Sequence, residues 1–186
     1  EPRPFTLVHG LLRPALHCLE RELASQSSIG DLQRSLVVRD RDLELLLGAA
    51  QEESEGGNST DDFAKLVQGC VNHLDCAVGA LLIPDKNIAV CRTALDTPPR
   101  AGAEILTRTH RQLLGWGQLH RQTMTSNTPH ASGPFANIPY KILACPVMHG
   151  AQRVHGVLVL FKELRAPDFD LRQVRIVELL GRRVAY

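Results

Sequence analysis

The chain has 186 residues, 44% of them hydrophobic and 22% charged, which suits one sizeable globular domain with extra elements attached. A net charge of +1 without a long Lys/Arg run excludes global steering onto nucleic acid or an acidic membrane surface, so neither partner is expected. No apolar stretch nears the ~18 residues of a bilayer span and no signal peptide opens the chain, so a cytoplasmic location is expected.

The chain begins with Glu, as a piece of a longer protein would. Its first section, "FTLVHGLLRPALHCLERELASQ", places Leu12, Leu16, Leu19 and Leu23 at 4-3-4 spacing. The second, "SIGDLQRSLVVRDRDLELLLGAAQEE", carries Ile29, Leu32, Leu36, Leu43, Leu46 and Ala50, with Arg39 at one position where an apolar residue is expected. This rhythm predicts a narrow apolar stripe along a helix, which either packs on its own domain or pairs in parallel with a second copy. The two stripes are one residue out of phase across "SQSSIGD". The helix therefore either breaks there, with Ser28 as N-cap, or changes its supercoil locally.

The polar, Gly-containing "EESEGGNST" marks a boundary. A capped helix follows in "DDFAKLVQGCVNHLD", its buried stripe being Phe63, Leu66, Val67, Cys70 and Leu74. "CAVGALLI" and "IAVCRTAL" around "PDKN" read as strand, turn, strand. "AEILTRTHRQLLGWG" reads as a helix and "QLHRQTMT" as an edge strand, before a loop in "SNTPHASGPFANIP". "ILACPVMHGAQRVHGVLVLF" reads as two strands around a tight turn. "APDFDLRQVRIVELLGRRVAY" closes the chain as a helix opened by Asp168 and Asp170, striped by Leu171, Val174, Val177, Leu180 and Val184. Hairpins combined with covering helices predict an α+β sandwich around a central, mainly antiparallel sheet of five to six strands.

This order and three stretches resemble the GAF domain, a small-molecule sensory module of signalling proteins. "IPYKILACPVMHGAQRVHGVLVLFK" is similar to the family's strand with an internal Pro, polar turn, Gly-Val-Leu and second apolar strand. "FDLRQVRIVELLGRRVA" is similar to its closing helix, and "DFAKLVQGCVNHLDCAVGALLIPDKNIAV" to its opening helix and first hairpin. The resemblance covers residues 58–186. The N-terminal "RPFTLVHGLLRPALHCLERELA" can be laid beside the closing helix. Residues 1–27 are therefore expected to be the exit helix of a preceding module, with 28–53 as linker and dimerisation helix.

The resemblance implies a non-catalytic sensory or regulatory domain in a bacterial signalling protein, acting as a homodimer on an output domain attached after Tyr186. A cyclic di-GMP synthase or phosphodiesterase is the output expected first, a histidine kinase or transcriptional activator next. A ligand-free dimerisation module is the competing class. The dimer helices would present Leu32, Leu36, Leu43 and Leu46 together with Val177 and Leu180. Family members hold ligands between the sheet and the segment from about 95 to 140. Polar candidates there are Arg92, Thr93, Trp116, His120, Asn127, His130 and Tyr140. Trp116 is either a lid or core plug, or a pocket wall. Asn127 and His130 either orient a ligand or are ordinary loop polarity.

No nucleophile elbow or phosphate-cradling Gly loop is present. The family's sulfoxide-reducing cysteine trio, cyclic-nucleotide motif and bilin-attaching cysteine are missing too, although Cys91 and Cys145 fall in strands. The chain is accordingly expected to be no enzyme and to need no cofactor. Five cysteines without CxxC spacing read as free thiols in a reducing compartment. Cys145, His149 and His155 fall on one face of the last hairpin. Cys145 and His149 stand roughly 13 Å apart along the strand, too far to share one ion through bonds of about 2.0–2.3 Å. No metal is expected.

Overall fold

The computed structural model describes residues 4–54, 60–128, 135–136, 138–149 and 153–184. The chain divides into two compact units, residues 1–43 and 44–186. The described residues of the first are helix. Helix α1 runs from Pro4 to Ser54 as one element of 51 residues. Of the two alternatives at "SQSSIGD", the break with Ser28 as N-cap is therefore absent. Ser28 lies inside the helix and its hydroxyl donates to the Ala24 carbonyl at 3.0 Å, one turn back, so it caps nothing. Leu12, Leu16, Leu19, Leu23, Ile29, Leu32, Leu36 and Leu43 are all more than half exposed on α1.

The second unit is a sandwich around one sheet. Helix α2 (Thr60–His73) carries Asp61 and Asp62 in its first turn, charges that complement the helix dipole. It leads into β1 (Val78–Ile83), buried along its whole length, and β2 (Ile88–Thr93), joined by a 3-10 turn at Pro84–Lys86. Asn87 closes that turn in the left-handed region at φ 54°, a conformation Asn tolerates better than most residues. Helix α3 (Pro99–His120) crosses to the short strand β3 (Met124–Ser126). The long strands β4 (Tyr140–His149) and β5 (Arg153–Glu163) follow, then helix α4 (Leu171–Val184). The strand order is β2-β1-β5-β4-β3, antiparallel throughout.

Alternation along β5 explains the two-layer core. Leu158 and Leu160 join the cluster under α2 and α4, with Val67, Leu81, Leu143, Val177 and Leu180. Val157, Val159 and Phe161 join the opposite cluster under α3, with Val78, Ile105, Leu113 and Ile142. The turn predicted at the last hairpin is in register, His149 pairing with Arg153. A bulge then shifts the ladder. Met148 faces Val154 and Val147 faces Gly156, so His155 is the extra residue. Its ring Nδ1 lies 3.1 Å from Asp85 Oδ2.

Three further expectations are corrected. Residues 118–120, expected to begin the edge strand, complete α3, which Arg121 ends in the left-handed region with its N–H on the Gly117 carbonyl. The strand pattern there rested on a single apolar residue, Leu119, which is 77% exposed. α4 starts at Leu171, after Asp170 and not at Asp168. The Asp170 carboxylate accepts from Gln173 N–H at 2.7 Å and Gln173 Oε1 accepts from Asp170 N–H at 3.4 Å, a reciprocal capping box. Val177 and Leu180, expected at a dimer interface, are fully buried in this domain's own core because they form the stripe that seats α4 on the sheet. The outward face of α4 instead carries Leu171 and Leu179, 79% and 50% exposed.

Candidate functional site

A cavity of about 360 Å³ opens between α3 and the segment running into β4. Ala101, Glu104, Ile105, Arg108, Thr109 and Gln112 line one wall, spaced three or four apart along one face of α3. Ala136, Ile138, Pro139 and Tyr140 line the other. Thr109 is buried, and its hydroxyl proton goes to the Ile105 carbonyl at 2.8 Å. The Tyr140 ring stands edge-on to Phe161, centroids 6.3 Å apart, which fixes the wall against the core. Glu104, Arg108 and Gln112 sit on successive turns with no side-chain hydrogen bond or ion pair among the described residues.

Of the seven sequence-derived pocket candidates, Tyr140 lines this cavity. Arg92 and Thr93 end β2. The Arg92 guanidinium donates to the Cys91 carbonyl at 2.8 Å, and the Thr93 methyl packs beneath Gly102 of α3. Trp116 and His120 stack on each other, centroids 5.5 Å apart, at the C-terminal end of α3. Trp116 lies within that helix, half-buried against the α3-side core. His130 lies outside the described residues.

Asn127 has a structural task. Its Nδ2 donates to the Phe169 carbonyl at 3.2 Å and its Oδ1 accepts the Phe169 N–H at 2.9 Å. This ties the end of β3 to the turn that launches α4. Lys141 and Lys162, cross-strand partners and both buried, pin the same turn. Lys141 Nζ donates to the Ala166 carbonyl and to Asp168 at 2.7 Å. Lys162 Nζ donates to Gln173 at 3.0 Å and lies 4.6 Å from the Phe169 ring centroid. Asn127→Ala strips both backbone partners from Phe169 and is expected to cost about 1–3 kcal/mol. Urea denaturation checks this; a loss below ~0.5 kcal/mol would remove the clamp from the account.

The cavity residues missed in the sequence are mostly those on α3. Glu104, Arg108 and Gln112 at four-residue spacing were the available signal, but that pattern also describes an ordinary solvated helix face. A second, more apolar groove of about 430 Å³ lies across α3, between Leu106, His110 and Leu114 and the β1–β2 turn.

The strand cysteines do not converge. Cys91 belongs to the core under α3 and Cys145 to the core under α2 and α4. Burial pushes both thiols up, Cys145 to about 11. Thiolate is the nucleophilic form, so neither is primed to attack. Among the described residues no three His, Cys, Asp or Glu gather as metal ligands, and no helix is long and apolar enough to cross a membrane.

The sandwich has the fold of a GAF domain. It is similar to the GAF domain of a putative sensor histidine kinase from Pseudomonas syringae pv. tomato, with 16% identity, TM-score 0.57, and 82% of this chain and 89% of that one covered. It is also similar to the GAF domain of an Acinetobacter phosphoenolpyruvate-protein phosphotransferase, at 18% identity and TM-score 0.57, covering 77% and 89%. The nlh2 GAF domain of A. aeolicus, solved in an inactive state, matches at 11% identity and TM-score 0.51, covering 80% and 95%. No protein-family model and no curated protein sequence matches the chain.

Proposed function

We propose that this chain is a non-catalytic sensory module of a bacterial signalling protein, working in the cytoplasm. Its α3 cavity takes a small ligand, and binding shifts helix packing in a homodimer that controls an output domain attached after Tyr186. The carrying observation is the cavity. It lies in the size range of small-molecule sites, one wall is apolar, and Glu104, Arg108 and Gln112 line it without partners among the described residues. Structural neighbours from a sensor kinase and a phosphotransferase support a regulatory setting. The proposed output is a cyclic di-GMP synthase or phosphodiesterase. A histidine kinase is the second reading, favoured by the Pseudomonas neighbour.

The dimer rests on α1. A single helix with this many half-exposed large apolar side chains gains little stability in water unless the stripe is covered. Proposed as partner is a second copy in parallel, through Leu32, Leu36 and Leu43, with Leu46 in the same rhythm. Leu32→Ser/Leu36→Ser removes four leucines per dimer. At ~2 kcal/mol for each buried side chain, about 8 kcal/mol is lost, more than five decades in Kd. Light scattering at tens of micromolar should give a dimeric mass for the parent and a monomeric mass for the variant. A monomeric parent would end the dimer proposal. Thermal-shift screening with a metabolite library tests ligand binding; a library that leaves the melting temperature unmoved favours the ligand-free dimerisation module.

A further inference from the structure

We infer that the α3 cavity is built for a small zwitterion, a free amino acid with an apolar or aromatic side chain. This rests on the ligand-binding reading above and names the ligand's class. Among the described residues lining the cavity, Glu104 and Arg108 are the charged ones, one of each sign on adjacent turns of α3. Glu four residues before Arg is the favoured orientation for a pair on a helix surface. The two form no such pair, and both line the cavity without a partner among the described residues.

An ammonium group satisfies Glu104, and a carboxylate satisfies the planar donor fork of Arg108. Four helix residues advance about 6 Å along the axis, so both groups of one compact zwitterion fit between side chains a turn apart. Net-charged ligands fit worse. A phosphate-bearing anion would gain Arg108 and be repelled by Glu104, and a diamine would meet the converse. Gln112 adds donors and an acceptor one turn further on. Ile105, Ile138 and the Tyr140 ring supply an apolar surface for the ligand's side chain. About 360 Å³ corresponds to roughly a dozen waters of liquid volume, enough for an amino acid and too little for a dinucleotide.

The test is calorimetric titration and thermal shift of the 186-residue protein with the proteinogenic amino acids. For any that binds, the matching decarboxylated amine and deaminated acid are run alongside. A nucleotide and dicarboxylate set is run in parallel. Glu104→Gln and Arg108→Gln are exposed changes whose fold is checked by circular dichroism. The expected result is binding of at least one amino acid, with Kd weakened at least about tenfold by either substitution and by removing either charged group from the ligand. Amino-acid binding indifferent to both substitutions overturns the assignment. Binding confined to nucleotides or dicarboxylates and abolished by Tyr140→Ala also overturns it, while leaving the cavity a ligand site. Absence of binding by every compound overturns both the zwitterion and the ligand-binding reading.

Discussion

Gly156→Ala is expected to unfold the sandwich or to destabilise it by at least ~3 kcal/mol. Gly156 follows the bulge residue His155 in the central strand β5, where its backbone lies close against that of β1. A Cβ built there would lie 2.0 Å from the Leu82 carbonyl oxygen and 3.0 Å from an Ile83 side-chain carbon. Carbon–oxygen contacts settle at about 3.3–3.6 Å, so β1 and β5 would have to part by more than 1 Å. Neither can do so cheaply, since β5 is hydrogen-bonded to β1 on one side and β4 on the other. Overpacking usually costs about 1–3 kcal/mol, and here the obstruction is backbone and cannot rotate away. Gly115 is the internal control. Its Cβ would meet nothing within 4 Å on the exposed side of α3, so Gly115→Ala should stabilise by about 0.5–1 kcal/mol through helix propensity. Urea denaturation of both variants decides the matter; a Gly156→Ala protein within 1 kcal/mol of the parent would contradict the close approach.

Gly156 also shows what was readable in advance. The "HGVLVLF" run that contains it alternates between two faces, and both faces proved to be core. Apolar periodicity therefore gave the strands, their hairpins and the antiparallel sheet. It failed where one pattern admits two partners. Val177 and Leu180 lie on a helical stripe that would suit a second chain as well as a sheet, and only the three-dimensional packing chooses the sheet. It failed again at residues 118–120, where polar alternation imitates a strand but the helix runs on to its left-handed cap at Arg121. The Asn127–Phe169 clamp joins residues 42 apart in sequence, so no local pattern announces it. The buried Lys141 and Lys162 are similar, since lysine in isolation reads as surface. Tyr140 was legible as a cavity residue because the family resemblance places ligands between the sheet and the segment from about 95 to 140, which ends on it. Glu104, Arg108 and Gln112 were not, because a ligand-facing polar row and a solvent-facing one are written in the same residues.

Above about pH 9 the domain is expected to lose stability steeply and to unfold before its core thiols ionise. Burial pushes Cys70 and Cys76 up from the ordinary value of 9.0 to about 12, and Cys145 to about 11. In the unfolded chain these thiols are exposed to water and release their protons near the ordinary value. Between pH 9 and 11 the unfolded state therefore binds fewer protons than the folded state, and stability falls as pH rises; below pH 9 the contribution is fully present. Each thiol adds a slope of a little over 1 kcal/mol per pH unit, so three together approach about 4 kcal/mol per unit. Two units remove up to roughly 8 kcal/mol, comparable to the ~5–15 kcal/mol that holds a typical domain together. Circular dichroism melts from neutral pH to 11, followed in parallel by ultraviolet thiolate absorbance, give the measurement. Cys145→Ala should make the descent shallower by about a third at a given pH above 9, since one of three protons is gone. More than two of the five thiols ionising while the far-ultraviolet signal stays native would show that the core admits thiolate, and the burial of Cys70, Cys76 and Cys145 would then have to be looser than their 0%, 2% and 4% exposure implies.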